Sequence, residues 1–508
     1  MADPILTDRI GSLRVLADRA FSRAAGAPLV GGNAVRLLRD AAENFPAWRE
    51  AIRGATRSIF FESYIIDDDA VGTEFRDLLA EKARGGVRVR VLRDWLGSPG
   101  RISRRFWRPF IAAGGELRSF NPPRFDSPLG WISRDHRKSI VVDGRVGFVT
   151  GLCVSGKWLG DRTKDLEPWR DTGVEIRGPA VAGLERAFEQ MWAATGPLLP
   201  GSEMTDPTAI PPAGEVTLRV VAGAPSTAGL FRLDQMIAAF ARKRLWLTDA
   251  YFVPITPYVE ALRAAARDGV DVRILVPGAS DIPMLSSLSR SGYRTLLEAG
   301  IRIFEWNGTM LHAKTAVADA RWARVGSTNL NLASFVGNYE MDVAIEDAGV
   351  AREMEEMYQQ DLARATEIVL ARRRRRVRTE LSHVPEDVPQ IRRAPSGSVG
   401  RVAAGALSIG SAVGLAITRP RELENAEGRV TATAGIVLAC LAAIAFHWPR
   451  AIAWPLSAIA AGLGLVFLLR AFRGWRAARG AGPTGSPPGP PTSTVSPGAP
   501  SDRASPAP

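Results

Sequence analysis

The chain contains the pattern H-x-K-x4-D twice, and this duplication constrains its fold more than any other feature. The first copy spans residues 136–143 and the second spans residues 312–319. The sequence has only four histidines, and two of them hold the same position in the two copies. Chance is a poor explanation, so we expect two related halves that assemble one shared site.

The segments around the two copies repeat one order of predicted elements. In the first half, residues 58–66 predict a strand, a helix follows over about 75–82, and alternation over 85–92 predicts a second strand. In the second half, the corresponding helix and strand are predicted over about 259–266 and 269–276. The alternation predicts an α/β fold of two duplicated αβα lobes with a mostly parallel or mixed sheet and a shared central site.

Composition divides the chain into seven segments. They are an N-terminal amphipathic helical segment (1–29), a first lobe (30–195), a linker (196–214), a second lobe (215–370), a basic and Pro-rich linker (371–400), transmembrane helices (401–472) and a disordered tail (473–508). The first segment is not a signal peptide, because charged residues interrupt its apolar positions. Its helix either packs on the lobes or contacts a membrane surface.

Three apolar stretches carry the membrane prediction, at residues 402–417, 430–448 and 451–469. The second and third approach the ~20 residues that cross a bilayer, and arginines flank them. We therefore expect a protein of the bacterial cell membrane, multi-pass in its C-terminal region, with cytoplasmic lobes. The sequence leaves open the number of spans and their topology. The apolar stretches, which are rich in Ala and Gly, could also form soluble helices.

The charge balance predicts an anionic partner. The chain has 65 Lys and Arg against 53 Asp and Glu, a formal net charge of +12. Nucleic acid and an acidic membrane surface both fit this excess, as does an ordinary solvated basic surface. The two cysteines indicate no disulfide framework, because Cys153 lies near the first motif and Cys440 in an apolar run.

The paired histidines and lysines suit the chemistry of a phosphodiester. On an extended strand, residues two apart share a face, so the His and Lys of each motif reach one phosphate. One imidazole can attack phosphorus to form a phosphohistidine, while the other protonates the departing alkoxide. This chemistry requires no cofactor, and no metal-ligand cluster is visible in the sequence.

Further segments point to a known family. Residues 326–331, 338–340, 251–254 and 169–171 match family signatures, reading Gly-Ser-Thr-Asn-Leu-Asn, Asn-Tyr-Glu, Tyr-Phe-Val-Pro and Trp-Arg-Asp. On these residues and the two motifs, the chain resembles the phospholipase D superfamily, and within it the bacterial cardiolipin synthases. The resemblance extends over about residues 30–368.

The resemblance implies roles for the motif residues. His136 and His312 would be nucleophile and general acid, with attack assigned to His136, and Lys138 and Lys314 would bind phosphate. The remaining implied site residues are phosphate ligands (Ser327 and Asn329), acidic partners that orient the histidines across the site (Asp171 and Glu340) and an acid that lines the pocket (Glu62). A turn after a strand and surface ion pairs are the competing structural explanations for these five residues.

Two motif residues and two departures from the family pattern complete the set. Asp143 and Asp319 complete the motifs and are expected to hold the turn after the motif strand rather than to touch substrate. Cys153 stands where the family usually has Asn, so one amide ligand is lost from the first half. Gly173 stands where a His is common.

The resemblance implies a membrane-associated phosphatidyltransferase. Cardiolipin synthases join two phosphatidylglycerols and release glycerol, so phosphatidylglycerol and the membrane are the expected partners, with a phosphohistidine intermediate. Hydrolysis to phosphatidic acid by a phospholipase D would use the same residues, and the motifs do not decide between them. A superfamily nuclease and a degenerate membrane scaffold are disfavoured, the first by the apolar C-terminal stretches and the second by the intact motifs.

Overall fold

The computed structural model describes residues 16–97, 104–122, 133–253 and 255–370. The stretches predicted as transmembrane helices and as a disordered tail lie outside these residues. Within the described ranges, no helix is both long and apolar enough to span a bilayer.

A single mixed sheet of fifteen strands organises the described part of the chain. In chain order the strands are β1 (Val30–Arg39), β2 (Ser58–Ser63), β3 (Arg88–Asp94), β4 (Glu116–Phe120), β5 (Ser139–Val142), β6 (Val146–Thr150), β7 (Thr172–Arg177), β8 (Val216–Gly223), β9 (Arg244–Thr248), β10 (Asp271–Pro277), β11 (Arg302–Trp306), β12 (Thr315–Ala318), β13 (Trp322–Gly326), β14 (Glu340–Glu346) and β15 (Ala365–Ile368). The helices are α1 (16–25), α2 (Asp40–Gly54), α3 (Ala70–Arg84), α4 (Arg104–Ala112), α5 (Val181–Ala193), α6 (Gly229–Phe240), α7 (Thr256–Arg267), α8 (Pro283–Ser291), α9 (Tyr293–Leu297) and α10 (Ala348–Leu362).

The strand order shows the duplication directly. Across the sheet the order is β15-β11-β10-β9-β12-β13-β14-β8-β1-β7-β6-β5-β2-β3-β4. Apart from the edge strand β15, the two halves mirror each other about the antiparallel pair of β1 and β8. In each half three strands are parallel and the others join antiparallel. The predicted α/β class with a mixed sheet is confirmed.

Local sequence explains why these elements form where they do. Every residue of β5, β6, β12 and β13 is buried, which fits their apolar runs and a sheet covered on both faces. Helix α3 begins several residues before the predicted start at residue 75, because the Asp69 carboxylate caps the helix by accepting from the Gly72 amide at 2.8 Å. The apolar side of α3, including Phe75 and Leu79, packs into the core of the first half.

The two motifs occupy the same place in the two halves. Each His and Lys lies in the extended segment immediately before β5 or β12, and each strand begins with the residue after the Lys. The motif aspartates Asp143 and Asp319 follow these strands and have φ angles of 55° and 52°. Asp tolerates this left-handed conformation better than most residues, which suits it to the turn between paired strands.

Candidate active site

Backbone hydrogen bonds between the halves bring the first motif to the opposite acidic strand. The amide of His136 donates to the carbonyl of Tyr339 at 2.9 Å, and the amide of Tyr339 donates to the carbonyl of Arg134 at 2.8 Å. Glu340, the first residue of β14, is therefore held beside the ring of His136.

The second motif is held in the same way by the first half. The amide of Arg170 donates to the carbonyl of Met310 at 2.9 Å, and the amide of His312 donates to the carbonyl of Arg170 at 2.7 Å. Asp171 follows Arg170 and is thereby held beside the ring of His312. The acidic partner of each motif therefore comes from the other half of the chain.

The two imidazoles make matched contacts with these acids. His136 Nδ1 lies 2.8 Å from Glu340 Oε2, and His312 Nδ1 lies 2.8 Å from Asp171 Oδ2. A proton on each Nδ1 satisfies these contacts, so the free lone pair of each neutral ring lies on Nε2. We call His136, Lys138 and Glu340 the first half-site, and His312, Lys314 and Asp171 the second half-site.

Each acid is in turn positioned by hydrogen-bond donors behind it. The Ser327 hydroxyl donates to Glu340 Oε2 at 2.6 Å. In the second half-site, the indole of Trp158 donates to Asp171 Oδ2 at 2.9 Å, and the Thr172 amide donates to Oδ1 at 2.8 Å. Sequence reasoning missed Trp158, because no spacing links it to the motifs.

The two motif lysines differ in what they contact. The ammonium of Lys138 donates to the carbonyl of His136 at 2.5 Å. The ammonium of Lys314 donates to the carbonyl of His312 and also lies 3.0 Å from Nδ1 and 3.1 Å from Nε2 of that ring. Only Lys314 therefore contacts the imidazole of its own motif.

Aromatic rings surround both imidazoles and exclude water from them. Tyr64 packs edge-on against His136 with ring centroids 4.9 Å apart. His312 has three aromatic neighbours, with Tyr251 and Trp158 edge-on at 5.8 and 5.3 Å and Trp169 tilted at 5.7 Å. The second half-site is the more enclosed of the two.

Burial and charge set the protonation states. Burial lowers the pKa of His136, against the opposing influence of Glu340. Burial, reinforced by Lys314, lowers the pKa of His312 to about 4. Burial also lowers the pKa of Lys314 to about 8. Both rings are thus held neutral at pH 7 before an anionic phosphate arrives.

The acids remain ionised despite burial. Burial raises the pKa of Asp171 and of Glu340, but the neighbouring histidine, the motif lysine and the hydrogen-bond donors together outweigh burial and lower both pKa values. The Lys314 ammonium lowers the pKa of His136, and the Lys138 ammonium lowers that of His312. The two half-sites therefore lie within electrostatic reach of each other.

A cavity of about 70 Å³ lies between the half-sites. Both halves line it, and its wall is mostly apolar with a few polar groups. The lining residues include Tyr64, Ile65, Arg134, His136, Lys138, Cys153, Trp158, Trp169, Tyr251, Ile282, Leu285, His312, Asn329, Asn331, Ala333, Ser334 and Asn338. Asn329 Oδ1 is buried without a hydrogen-bond partner, so its amide is free to turn toward a ligand.

Three predicted ligands, Ser327, Glu62 and the buried Lys314, are not among the residues that line the cavity. Ser327 is fully buried, and its hydroxyl also accepts from the Met341 amide at 2.9 Å. Glu62 is buried and accepts from the Ser139 hydroxyl at 2.9 Å, and burial raises its pKa.

The motif aspartates accept hydrogen bonds from a neighbouring loop, as expected for residues that hold a turn rather than touch substrate. Asp143 accepts from the amides of Thr56, Arg57 and Ser58 at 2.7–2.9 Å. Asp319 accepts in the same way from the amides of the three residues 242–244. These hydrogen bonds lower the pKa of both aspartates despite partial burial.

The two departures from the family pattern also have defined places. Cys153 lies on the cavity wall, and burial raises the pKa of its thiol. The space beside Gly173 is filled by the Asn44 side chain, whose Oδ1 would lie 2.1 Å from an added Cβ. A histidine there would require Asn44 to move.

A buried ion pair, which the sequence did not reveal, supports the second half-site. The guanidinium of Arg170 contacts Asp361 on α10 at 2.8 Å and Asp40 at 3.1 Å, and it donates to the carbonyl of Asp171. Arg170 therefore ties both halves to the backbone that carries Asp171. No group of three or more His, Cys, Asp or Glu side chains in the described ranges is arranged to hold a metal ion.

Comparison with known proteins places the chain in a family. A family model described as "Cardiolipin synthase, PLD-like domain" matches residues 234–362. The chain is 34% identical over 338 residues to a cardiolipin synthase of Halalkalibacterium halodurans, covering 66% of this chain and 67% of that protein. It is 35% identical over 369 residues to cardiolipin synthase A of Pseudomonas aeruginosa, covering 70% and 72%.

A solved structure agrees at the level of the fold. The phosphatidylserine synthase of Haemophilus influenzae superposes with a TM-score of 0.55 at 15% identity, covering 69% of this chain and 91% of that one. At this identity the likeness concerns the fold alone. Because its identity to the cardiolipin synthases extends over two thirds or more of their length, the chain belongs to the cardiolipin synthase family of the phospholipase D superfamily.

Proposed function

We propose that the chain is a cardiolipin synthase that transfers a phosphatidyl group between two phosphatidylglycerols through a phosphohistidine. The observation that carries the proposal is the reciprocal pairing of His136 with Glu340 and of His312 with Asp171 at one cavity. Two imidazoles held by opposite halves supply an attacking group and a proton donor on one phosphodiester.

The first step uses the asymmetry of the lysines. Nε2 of His136 attacks phosphorus, the N–P bond forms, and the bond from phosphorus to the glycerol oxygen breaks. The electron pair stays on that oxygen, which takes a proton from His312. Lys314 supports this role, because its ammonium lies within 3.1 Å of both ring nitrogens of His312 and can supply the proton.

The second step reverses the proton transfer. Neutral His312 accepts the proton of the hydroxyl on a second phosphatidylglycerol and returns it to the Lys314 amine, and that oxygen attacks phosphorus. The N–P bond breaks and His136 is restored, so glycerol and cardiolipin are the products. Lys138 and the Asn329 amide, which line the cavity, stabilise negative charge on the phosphoryl oxygens in both steps.

The test is incubation of the full chain with vesicles of phosphatidylglycerol labelled in the terminal glycerol, followed by lipid mass spectrometry. We expect cardiolipin and labelled glycerol in equal amounts. Phosphatidic acid as the main product would replace transfer with hydrolysis. Untouched lipid together with cleavage of added DNA would contradict the proposal altogether.

We also propose that the protein works at the bacterial cell membrane, with its lobes on the cytoplasmic side. The apolar stretches at 402–417, 430–448 and 451–469 and the lipid nature of the substrate support this. Recovery in the membrane fraction after carbonate washing, with protection of the lobes from protease in intact spheroplasts, is the expected result. Release by carbonate would contradict the multi-pass prediction.

A further inference from the structure

Several exposed apolar side chains belong to residues that are adjacent in sequence to the cavity lining. In the described part of the chain, ten large apolar side chains are strongly exposed, and four of them lie one or two positions from a cavity-lining residue. These four are Leu159, Met284, Leu332 and Val336, which we call the apolar rim. Exposed apolar residues scattered singly need no explanation, but four beside one cavity do.

The apolar rim comes from both halves. Leu159 follows a short 3₁₀-helix (Gly156–Trp158) in the first half. Met284 lies in α8, and Val336 lies in a π-helical turn (Ala333–Gly337) that Leu332 immediately precedes. Three separate segments therefore present apolar side chains at the same cavity.

The two rim segments of the second half also lack charge. Residues 282–289 and 328–339 contain no Asp, Glu, Lys or Arg. Helix α8 packs beside Tyr251 through a small apolar cluster of its own, formed by Val253, Leu285 and Leu288. Charged residues normally populate surfaces that face only water, so these segments suit an apolar surrounding.

We propose that the apolar rim enters the acyl region of an anionic bilayer while the phosphate occupies the cavity. The inference rests on the proposed function, because a lipid held at phosphorus by His136 has its acyl chains directly outside the cavity. Apolar side chains also line the cavity itself, and they include Ile65, Ile282 and Leu285. Burying the rim in acyl chains removes apolar area from water at the place where the substrate enters.

A fluorescence experiment tests insertion without relying on turnover. A fluorophore is attached at Leu332→Cys in the full chain carrying Cys440→Ser, and vesicles of phosphatidylglycerol with brominated acyl chains are added. We expect strong quenching at this position. The matched control is the label at Leu198→Cys, an exposed residue that does not neighbour the cavity lining. Equal quenching at the two positions would overturn the proposal even if the enzyme is active.

A kinetic experiment separates the rim from the catalytic groups. The double variant Leu332→Ser/Val336→Ser is compared with wild type on bilayer phosphatidylglycerol and on monomeric short-chain phosphatidylglycerol. We expect the rate on bilayers to fall about tenfold, the rate on monomers to stay unchanged, and Leu198→Ser to match wild type on both. An unchanged bilayer rate, or an equal loss on both substrates, would overturn the proposal. A wild-type enzyme that forms no cardiolipin refutes the proposed function instead, and the quenching result then decides the rim separately.

Discussion

The two half-sites share one motif but have different surroundings. In the first half-site, Lys138 contacts the backbone of His136 but not its ring, and one aromatic ring packs against the imidazole. In the second half-site, Lys314 contacts both ring nitrogens of His312, and three aromatic rings enclose it. The comparison teaches that duplication supplied two equal sets of groups and that local packing made their surroundings unequal. On this difference we propose attack for the first half-site and proton transfer for the second.

The largest expected effect tests whether both half-sites are needed. His136→Ala and His312→Ala should each reduce cardiolipin formation by at least about 10⁴-fold, because each removes one of two groups that act in every turnover. His383→Ala is the matched control and should retain wild-type activity. Substantial activity in either motif variant would remove that histidine from the mechanism.

Substitutions of the acids that contact the two imidazoles should affect kcat differently in the two half-sites. Asp171→Asn should lower kcat by about 10³-fold, because Trp158 and Thr172 both donate to this side chain and an amide NH₂ would face a donor. Glu340→Gln should lower kcat by about tenfold less than Asp171→Asn does, because the Ser327 hydroxyl can rotate and accept from the new amide. Steady-state kinetics with circular dichroism as a folding control checks the order. Equal losses would show that the donors behind the acids do not matter.

The cavity wall offers a matched exchange at equivalent positions. Asn329→Cys should reduce kcat/KM by about 10- to 100-fold, since it removes an amide available to a charged phosphate. Cys153→Asn should change kcat/KM by less than about threefold, because the first half already works without that amide. A larger loss from Cys153→Asn than from Asn329→Cys would place the phosphate on the first half of the cavity.

The pH dependence should report the second half-site. The pKa of Lys314 is lowered to about 8, so its charge is present below that pH and lost above it. We expect kcat/KM to fall by up to about tenfold per pH unit above this value. Lys314→Arg should lose this alkaline decline, whatever its absolute rate, because a guanidinium stays protonated. An unchanged decline in the variant would assign it to another group.

The sequence predicted several strands and helices well, because their signals are local. Alternation at 85–92 and 269–276 anticipated β3 and β10 to within a few residues, and the doubled motif anticipated two halves around one site. The start of α3 was placed too late, because its cap lies outside the apolar pattern.

Other contacts were hidden because they join distant parts of the chain. The contact of His136 with Glu340 spans 204 positions and that of Arg170 with Asp361 spans 191, so no periodicity reveals them. The acids of the half-sites were named through family resemblance, whereas Trp158 has no such signal. Arg170 lies in the matched Trp-Arg-Asp segment, but its pairing with Asp361 was not predicted. The placement of Ser327 and Glu62 behind the wall depends on side-chain direction, which spacing alone does not determine.

The claim on which the account depends is that the imidazoles of both halves reach one phosphorus atom. A crystal structure of the full chain with vanadate, which mimics phosphorus during transfer, tests it most directly. The account predicts one vanadate in the cavity with Nε2 of His136 bonded to it and Nε2 of His312 facing the oxygen on the opposite side. Vanadate bound to one histidine, with the other ring out of reach, would contradict it.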